Sequence, residues 1–152
     1  MKMTRDRLLG EGTGSAVEDA LVTRAVFTSF GPHLILDLAD CNPEKLDDFE
    51  LCFRILNELP DEIGMTKITQ PHVFRYSGLV PEDEGITGVV IIAESHISLH
   101  TFPSKKYAFM DVFSCKPFDV ECAKRYIITA FESRDPQVFV TERGEKFPRY
   151  MR

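Results

Sequence analysis

The chain has 152 residues, enough for one domain with a single sizeable core. Hydrophobic residues make up 43% and charged residues 28%, the balance of a soluble globular protein. With 18 Lys and Arg against 24 Asp and Glu the net charge is −6, which argues against broad binding to nucleic acid or to an anionic membrane.

No apolar run approaches the ~18 residues that a membrane span needs. The first residues, Met1 to Gly14, have basic side chains but no apolar signal core, so no secretory signal is expected. The cysteines, Cys41, Cys52, Cys115 and Cys122, form no C-x-x-C pair, and a chain of this length with so few is not a disulfide scaffold. The expectation is a cytoplasmic protein with free thiols.

Residues 1–22 mix Gly, Ser, Thr and charges without a period, and read as a mobile N-terminal arm. Residues 23–142 form the domain, and 143–152 a polar tail. Arg24 to Thr28 and His33 to Leu38 read as strands, split by a turn at Gly31-Pro32. Asn42-Pro43 opens a helix, with Asn as cap and Pro in the first turn. Leu46, Phe49, Phe53, Leu56 and Leu59 give it one apolar face, and Pro60 and Gly64 end it.

Lys67 to Tyr76 looks extended, and Pro81 to Gly85 is an acidic loop. Gly88 to Ala93 is almost wholly apolar, which predicts a strand buried on both faces. His96 to His100 alternates, with Ile97 and Leu99 on one face and His96, Ser98 and His100 on the other. Tyr107 to Ser114 is a further strand. A second helix starts at Asp119, with Ala123, Tyr126, Ile127, Ala130 and Phe131 as its buried stripe. Gln137 to Thr141 is the last strand. The pattern predicts an α+β two-layer sandwich, an antiparallel sheet with two helices packed on one face.

The densest polar cluster is Glu94-Ser95-His96-Ile97-Ser98-Leu99-His100-Thr101. On pattern alone three readings stand: a solvent-facing strand, a metal site, or a Ser–His nucleophilic site. The second is weakened because imidazoles four apart on a strand lie about 13 Å apart, too far to share one ion. The third lacks a G-x-S-x-G elbow.

The run Gly88 to Pro103 resembles the processing-site motif of the short prokaryotic pyruvoyl-dependent S-adenosylmethionine decarboxylases. Asp111-Val112-Phe113-Ser114-Cys115 is similar to that family's catalytic-cysteine segment, and Phe30-Gly31-Pro32-His33, Asp37-Leu38, Cys41 and His72-Val73-Phe74 fall in the family's order. The resemblance spans about Thr23 to Glu142.

It implies that the chain cuts itself between Glu94 and Ser95. Ser95 Oγ attacks the Glu94 carbonyl, and Ser95 ends as a covalent pyruvoyl group that carries the substrate as a Schiff base. The mature chains would be 1–94 and 95–152. By the same resemblance His100 takes part in processing, Thr87 assists where the family usually has Ser, and Cys115 donates a proton to the product. Phe74 falls near the aromatic that stacks on adenine. Ser104 stands where the family commonly has a ribose-binding Glu, and Phe102 replaces a Trp. The stretch from Phe74 to Thr87 is longer than in compact members.

The implied activity is decarboxylation of S-adenosylmethionine for spermidine synthesis, by a homodimer of processed protomers acting on a small-molecule substrate, with no metal. Two alternatives accompany it. One is pyruvoyl-dependent decarboxylation of arginine or ornithine, with Glu82, Asp83 and Glu84 facing the cationic tail. The other is a non-processing homologue that only binds.

Overall fold

The computed structural model describes residues 29–149. The expected N-terminal arm and the strand at 24–28 lie outside the described residues.

Six strands form one antiparallel sheet: β1 (Gly31–Ala39), β2 (His72–Tyr76), β3 (Gly85–Ile92), β4 (Ser95–Phe102), β5 (Tyr107–Ser114) and β6 (Asp135–Arg143). Their spatial order is β2-β3-β4-β5-β1-β6. Three helices cover one face: α1 (Pro43–Leu46), α2 (Phe49–Glu62) and α3 (Val120–Phe131). The core lies between the layers. Leu34, Leu36 and Leu38 of β1, Ile97 and Leu99 of β4, and Met110 and Val112 of β5 meet Ile55, Leu56 and Leu59 of α2 and Ala123, Ile127 and Phe131 of α3. The fold is the expected α+β sandwich.

Local chemistry accounts for most boundaries. Asp119 caps α3 by accepting from the Cys122 N–H at 2.8 Å. Asn42 caps α1 by accepting from the Glu44 N–H at 3.0 Å. The single helix expected from Asn42 is instead two, because Asp48 accepts from the Leu51 N–H at 2.9 Å and starts α2 afresh. Pro60 lies within the last turns of α2 rather than stopping it.

Two further expectations are corrected. Gly31-Pro32 is no turn but the start of β1, paired with Arg143 and Glu142 of β6. A Cβ at Gly31 would stand 2.1 Å from the Ser114 carbonyl oxygen, so only glycine lets β1 run so close to the end of β5. Gly88 to Ala93 is not buried on both faces. Ile86, Val90 and Ile92 enter the core, while Val89 is half-buried and Ile91 exposed on the opposite face. Its apolar residues serve two surfaces, and among the described residues only one is covered by helices.

The face that no described helix covers therefore matters. Direct cross-strand pairs share a face. One row runs Phe74, Thr87, His100, Phe109, Asp37 and Gln137 from β2 to β6. A parallel row runs Val89, Ser98, Asp111, Ile35 and Phe139. Among the described residues no helix is long and apolar enough to cross a membrane.

Candidate active site

Glu94 and Ser95 stand where β3 turns into β4. Ala93 and Glu94 form the turn, and Ser95 opens β4, paired with Ile92 on one side and Ser114 on the other. That pairing brings the end of β5 against the turn. Cys115, the residue after β5, donates its backbone N–H to the Glu94 carbonyl oxygen at 2.8 Å. The carbonyl beside Ser95 is thus gripped by a fixed donor. Cys115 itself is half-buried, with a free thiol.

The Glu94 side chain is also held. Its carboxylate is buried, accepts from the Thr66 N–H at 3.1 Å, and pairs with Lys116 Nζ at 3.1 Å. Burial alone would push this carboxyl up. The Thr66 N–H and the Lys116 ammonium outweigh that and hold it below the usual carboxylate range. From the other side the C-terminal segment reaches in, where Arg149 Nη2 donates to the Cys115 carbonyl oxygen at 3.2 Å.

His100 and Thr87 meet across the β3–β4 ladder. Thr87 Oγ1 lies 3.1 Å from His100 Nδ1, and His100 is exposed. Phe74, 60% exposed, stands directly beside Thr87 on β2. A cavity of about 380 Å³ opens here, lined by Tyr76, Asp83, Gly85, Thr87, Thr101 and Phe102. An apolar neighbour of about 310 Å³ is lined by Phe102, Lys105, Tyr107 and Phe109. Ser104 is exposed in the short 3-10 turn Pro103–Lys105 that follows β4.

The expected residues therefore fall into two groups at opposite ends of the sheet. Glu94, Ser95 and Cys115 form one; Thr87, His100, Phe74 and Ser104 the other. Ser95 and His100 are five positions apart along extended chain, about 17 Å. One protomer does not join them.

Several contributors escaped the sequence reading. Lys116, Thr66 and Arg149 carry no motif, and their roles come from long-range contacts. On the open face His33 Nε2 lies 3.0 Å from Asp111 Oδ1, and Ser98 Oγ donates to Asp111 Oδ2 at 3.4 Å. Arg143 stacks over the Phe113 ring, its guanidinium carbon 4.2 Å from the centroid. His96 lies edge-on to the same ring. Burial pushes the His96 imidazole below its ordinary value, helped by His33 and Arg143 and opposed by Asp111. Among the described residues no three His, Cys, Asp or Glu side chains converge to hold a metal ion.

Comparison with known proteins gives the same frame. Residues 32–144 match the S-adenosylmethionine decarboxylase family. The S-adenosylmethionine decarboxylase proenzyme of Thermodesulfovibrio yellowstonii is 38% identical, over 79% of this chain and 90% of that protein. The proenzyme of the same name from Pyrococcus furiosus is 35% identical, over 76% and 80%. The crystal structure of the adenosylmethionine decarboxylase from Aquifex aeolicus superposes with a TM-score of 0.66 at 33% identity, covering 76% of this chain and 92% of that one. With the Glu94–Ser95 turn, the Cys115 grip and these relatives in view, the chain belongs to the S-adenosylmethionine decarboxylase family.

Proposed function

We propose that this protein is a self-processing, pyruvoyl-dependent decarboxylase that converts S-adenosylmethionine to its decarboxylated form, the aminopropyl donor for spermidine synthesis. The observation that carries the reading is the Cys115 N–H on the Glu94 carbonyl oxygen, one residue before the Ser95 hydroxyl. A donor aimed at that oxygen stabilises the negative charge that develops there on attack, an effect worth roughly 3 kcal/mol in other enzymes.

Processing balances within the chain plus one water. Ser95 Oγ attacks the Glu94 carbonyl carbon, and the Glu94–Ser95 C–N bond breaks as the ester forms. Loss of the Ser95 α-proton expels the Glu94 carboxylate by breaking the Cβ–Oγ bond. Water then displaces ammonia from Cα, leaving the pyruvoyl group at residue 95. The residues present fit this group: a hydroxyl at the turn, a gripped carbonyl before it, and a half-buried thiol on the gripping residue.

The pyruvoyl group supplies a carbonyl electron sink for loss of CO₂. Cys115 holds the proton delivered to the former α-carbon of the substrate. His100, with its Nδ1 held by Thr87 Oγ1, offers its other ring nitrogen to processing. Phe74 and the cavity beside Thr87 take the nucleoside, with Ser104 at its rim.

Because Ser95 and His100 lie at opposite ends of β4, the complete site needs two protomers. The open sheet face suits this. It presents Phe74, Ile91, Phe109 and Phe139 to solvent, an apolar surface that a lone sheet does not need. Two such faces packed about a two-fold axis perpendicular to the strands lay the Ser95 end of one protomer over the His100 end of the other. The protein would act as a cytoplasmic homodimer.

The relatives' names favour S-adenosylmethionine over arginine or ornithine. The acidic loop points the same way. Asp83 already pairs with Lys105, so it is not a free anion awaiting a cationic tail. Release of CO₂ from carboxyl-labelled S-adenosylmethionine, but not from labelled arginine or ornithine, tests the assignment. Release from an amino acid alone would overturn it.

A further inference from the structure

Among the described residues Lys116 is the one cation that pairs with the residue whose bond is to be cut. Its Nζ lies 3.1 Å from Glu94 Oε1 and donates to the Gly64 carbonyl oxygen at 2.8 Å. Its backbone is fixed too. The Lys116 N–H donates to Ser114 Oγ at 3.1 Å, and Ser114 Oγ donates to the Lys116 carbonyl at 2.7 Å. On the far side of Glu94, Thr66 closes the ring. Its N–H donates to Glu94 Oε2 at 3.1 Å, and its carbonyl accepts from the Ala93 N–H at 2.8 Å.

Three segments, 64–66, 93–95 and 114–116, are thus tied around the Glu94–Ser95 bond. Glu94 is gripped twice by consecutive residues, with the Cys115 N–H on its carbonyl oxygen and the Lys116 ammonium on its carboxylate.

We propose that Lys116 is a positioning residue for self-cleavage, which holds the Glu94 carboxylate so that the Glu94 carbonyl stays on the Cys115 N–H and faces Ser95. The proposal rests on the self-processing reading above and assigns that reaction a residue outside its motif.

The physical case is one of asymmetry. Most surface ion pairs contribute little, because both partners are as well served by water. Here the Lys116 side chain is 47% exposed but the Glu94 side chain only 9%. A buried carboxylate that loses its counter-ion must take up a proton or leave its pocket. Either change releases the backbone it anchors. The carbonyl then leaves a geometry on which the attack depends, and small misplacements of reacting atoms cost orders of magnitude in rate.

The test is the rate of conversion from full-length chain to fragments, followed by intact mass after cell-free synthesis. Lys116→Ala should slow conversion roughly ten- to hundredfold. Lys116→Arg, which keeps the charge and can donate to both the Gly64 carbonyl and the Glu94 carboxylate, should stay within about threefold of wild type. Melting of the same two variants in a Ser95→Ala background separates positioning from folding: a slow Lys116→Ala whose melting temperature matches its parent supports the proposal. Wild-type rate in Lys116→Ala overturns it. So does equal slowing in Lys116→Arg and Lys116→Ala, or slowing that follows a fall in melting temperature. A wild-type chain that never cleaves removes the self-processing reading itself, and the proposal with it.

Discussion

Cys115 holds the carbonyl oxygen of Glu94 on its backbone N–H at 2.8 Å, while its own side chain remains a free, half-buried thiol. One residue can therefore serve two steps with two different groups. In the proposed reaction the amide would polarise the bond to be cut, and the thiol would hold a proton for the later step. Cys115→Ser keeps the amide and changes only the side chain. The expected outcome is cleavage within about tenfold of wild type, with CO₂ release lowered at least about a hundredfold, since general acid–base groups contribute on that scale. Single-turnover assays on the processed variant check it; equal loss of both steps would contradict the division of labour.

Ser95→Ala removes the attacking hydroxyl from a position whose backbone pairs with Ile92 and Ser114. The variant should fold, stay full length and release no CO₂. Circular dichroism and intact mass read the two parts separately. Cleavage in this variant would take the nucleophile's role away from residue 95.

The separation of Ser95 from His100 makes a prediction about mixtures. Neither Ser95→Ala nor His100→Ala alone should process well. In a heterodimer of the two, the Ser95 of one chain meets the His100 of its partner, and one site is complete. Co-expression should therefore restore cleavage, confined to the His100→Ala chain. Differently tagged chains resolved on a denaturing gel show which one is cut. No rescue would contradict the shared site.

The exposed aromatics of the open face should carry the dimer. Phe139 lies on β6, the last strand of the sheet among the described residues, and is 51% exposed. Phe139→Glu puts a charge into a surface that would be desolvated on pairing, and should weaken dimerisation at least about tenfold. Light scattering over a dilution series measures it. An unchanged dimer mass at every concentration would place the interface elsewhere.

His96 gives a pH signature with a definite sign. In the unfolded chain its imidazole titrates near 6.5. In the folded chain burial, His33 and Arg143 lower that value against the pull of Asp111. The folded state thus binds the proton less readily. Its stability is full above about pH 6.5 and declines as pH falls through that value towards the lower folded one. His96→Gln, measured by thermal melts in the non-cleaving Ser95→Ala chain, should flatten the curve between about pH 7 and 5. An unchanged slope would assign the acid sensitivity to other groups.

The legible parts of the chain were those set by local chemistry. The alternation of β4, the full span of β5 and the Asp119 cap of α3 are written in adjacent residues. The residues at odds with the sequence reading answer to distant partners. Gly31-Pro32 looks like a turn until β5 and β6 pair on either side of β1. Asp48 interrupts a helical period that the apolar spacing alone carries through. Gly88 to Ala93 is apolar for two surfaces, and composition does not distinguish a second helical layer from an open face. At the site, the motif marks Ser95, Cys115 and His100 as candidates; the fold brings Ser95 and Cys115 together, while the length of β4 keeps His100 of the same chain apart from them. Lys116 and Thr66 had no signal at all, because they reach Glu94 from more than twenty positions away in sequence, as adjacent spatial neighbours only after the sheet forms.

On the proposed function the Glu94–Ser95 bond cuts itself. Intact mass of the purified full-length chain, taken under denaturing conditions over a time course, tests it most directly. Self-cleavage would give two species, one ending at Glu94 and one beginning at residue 95 with a blocked, borohydride-reducible N-terminus. A single full-length mass that persists through the time course would contradict it.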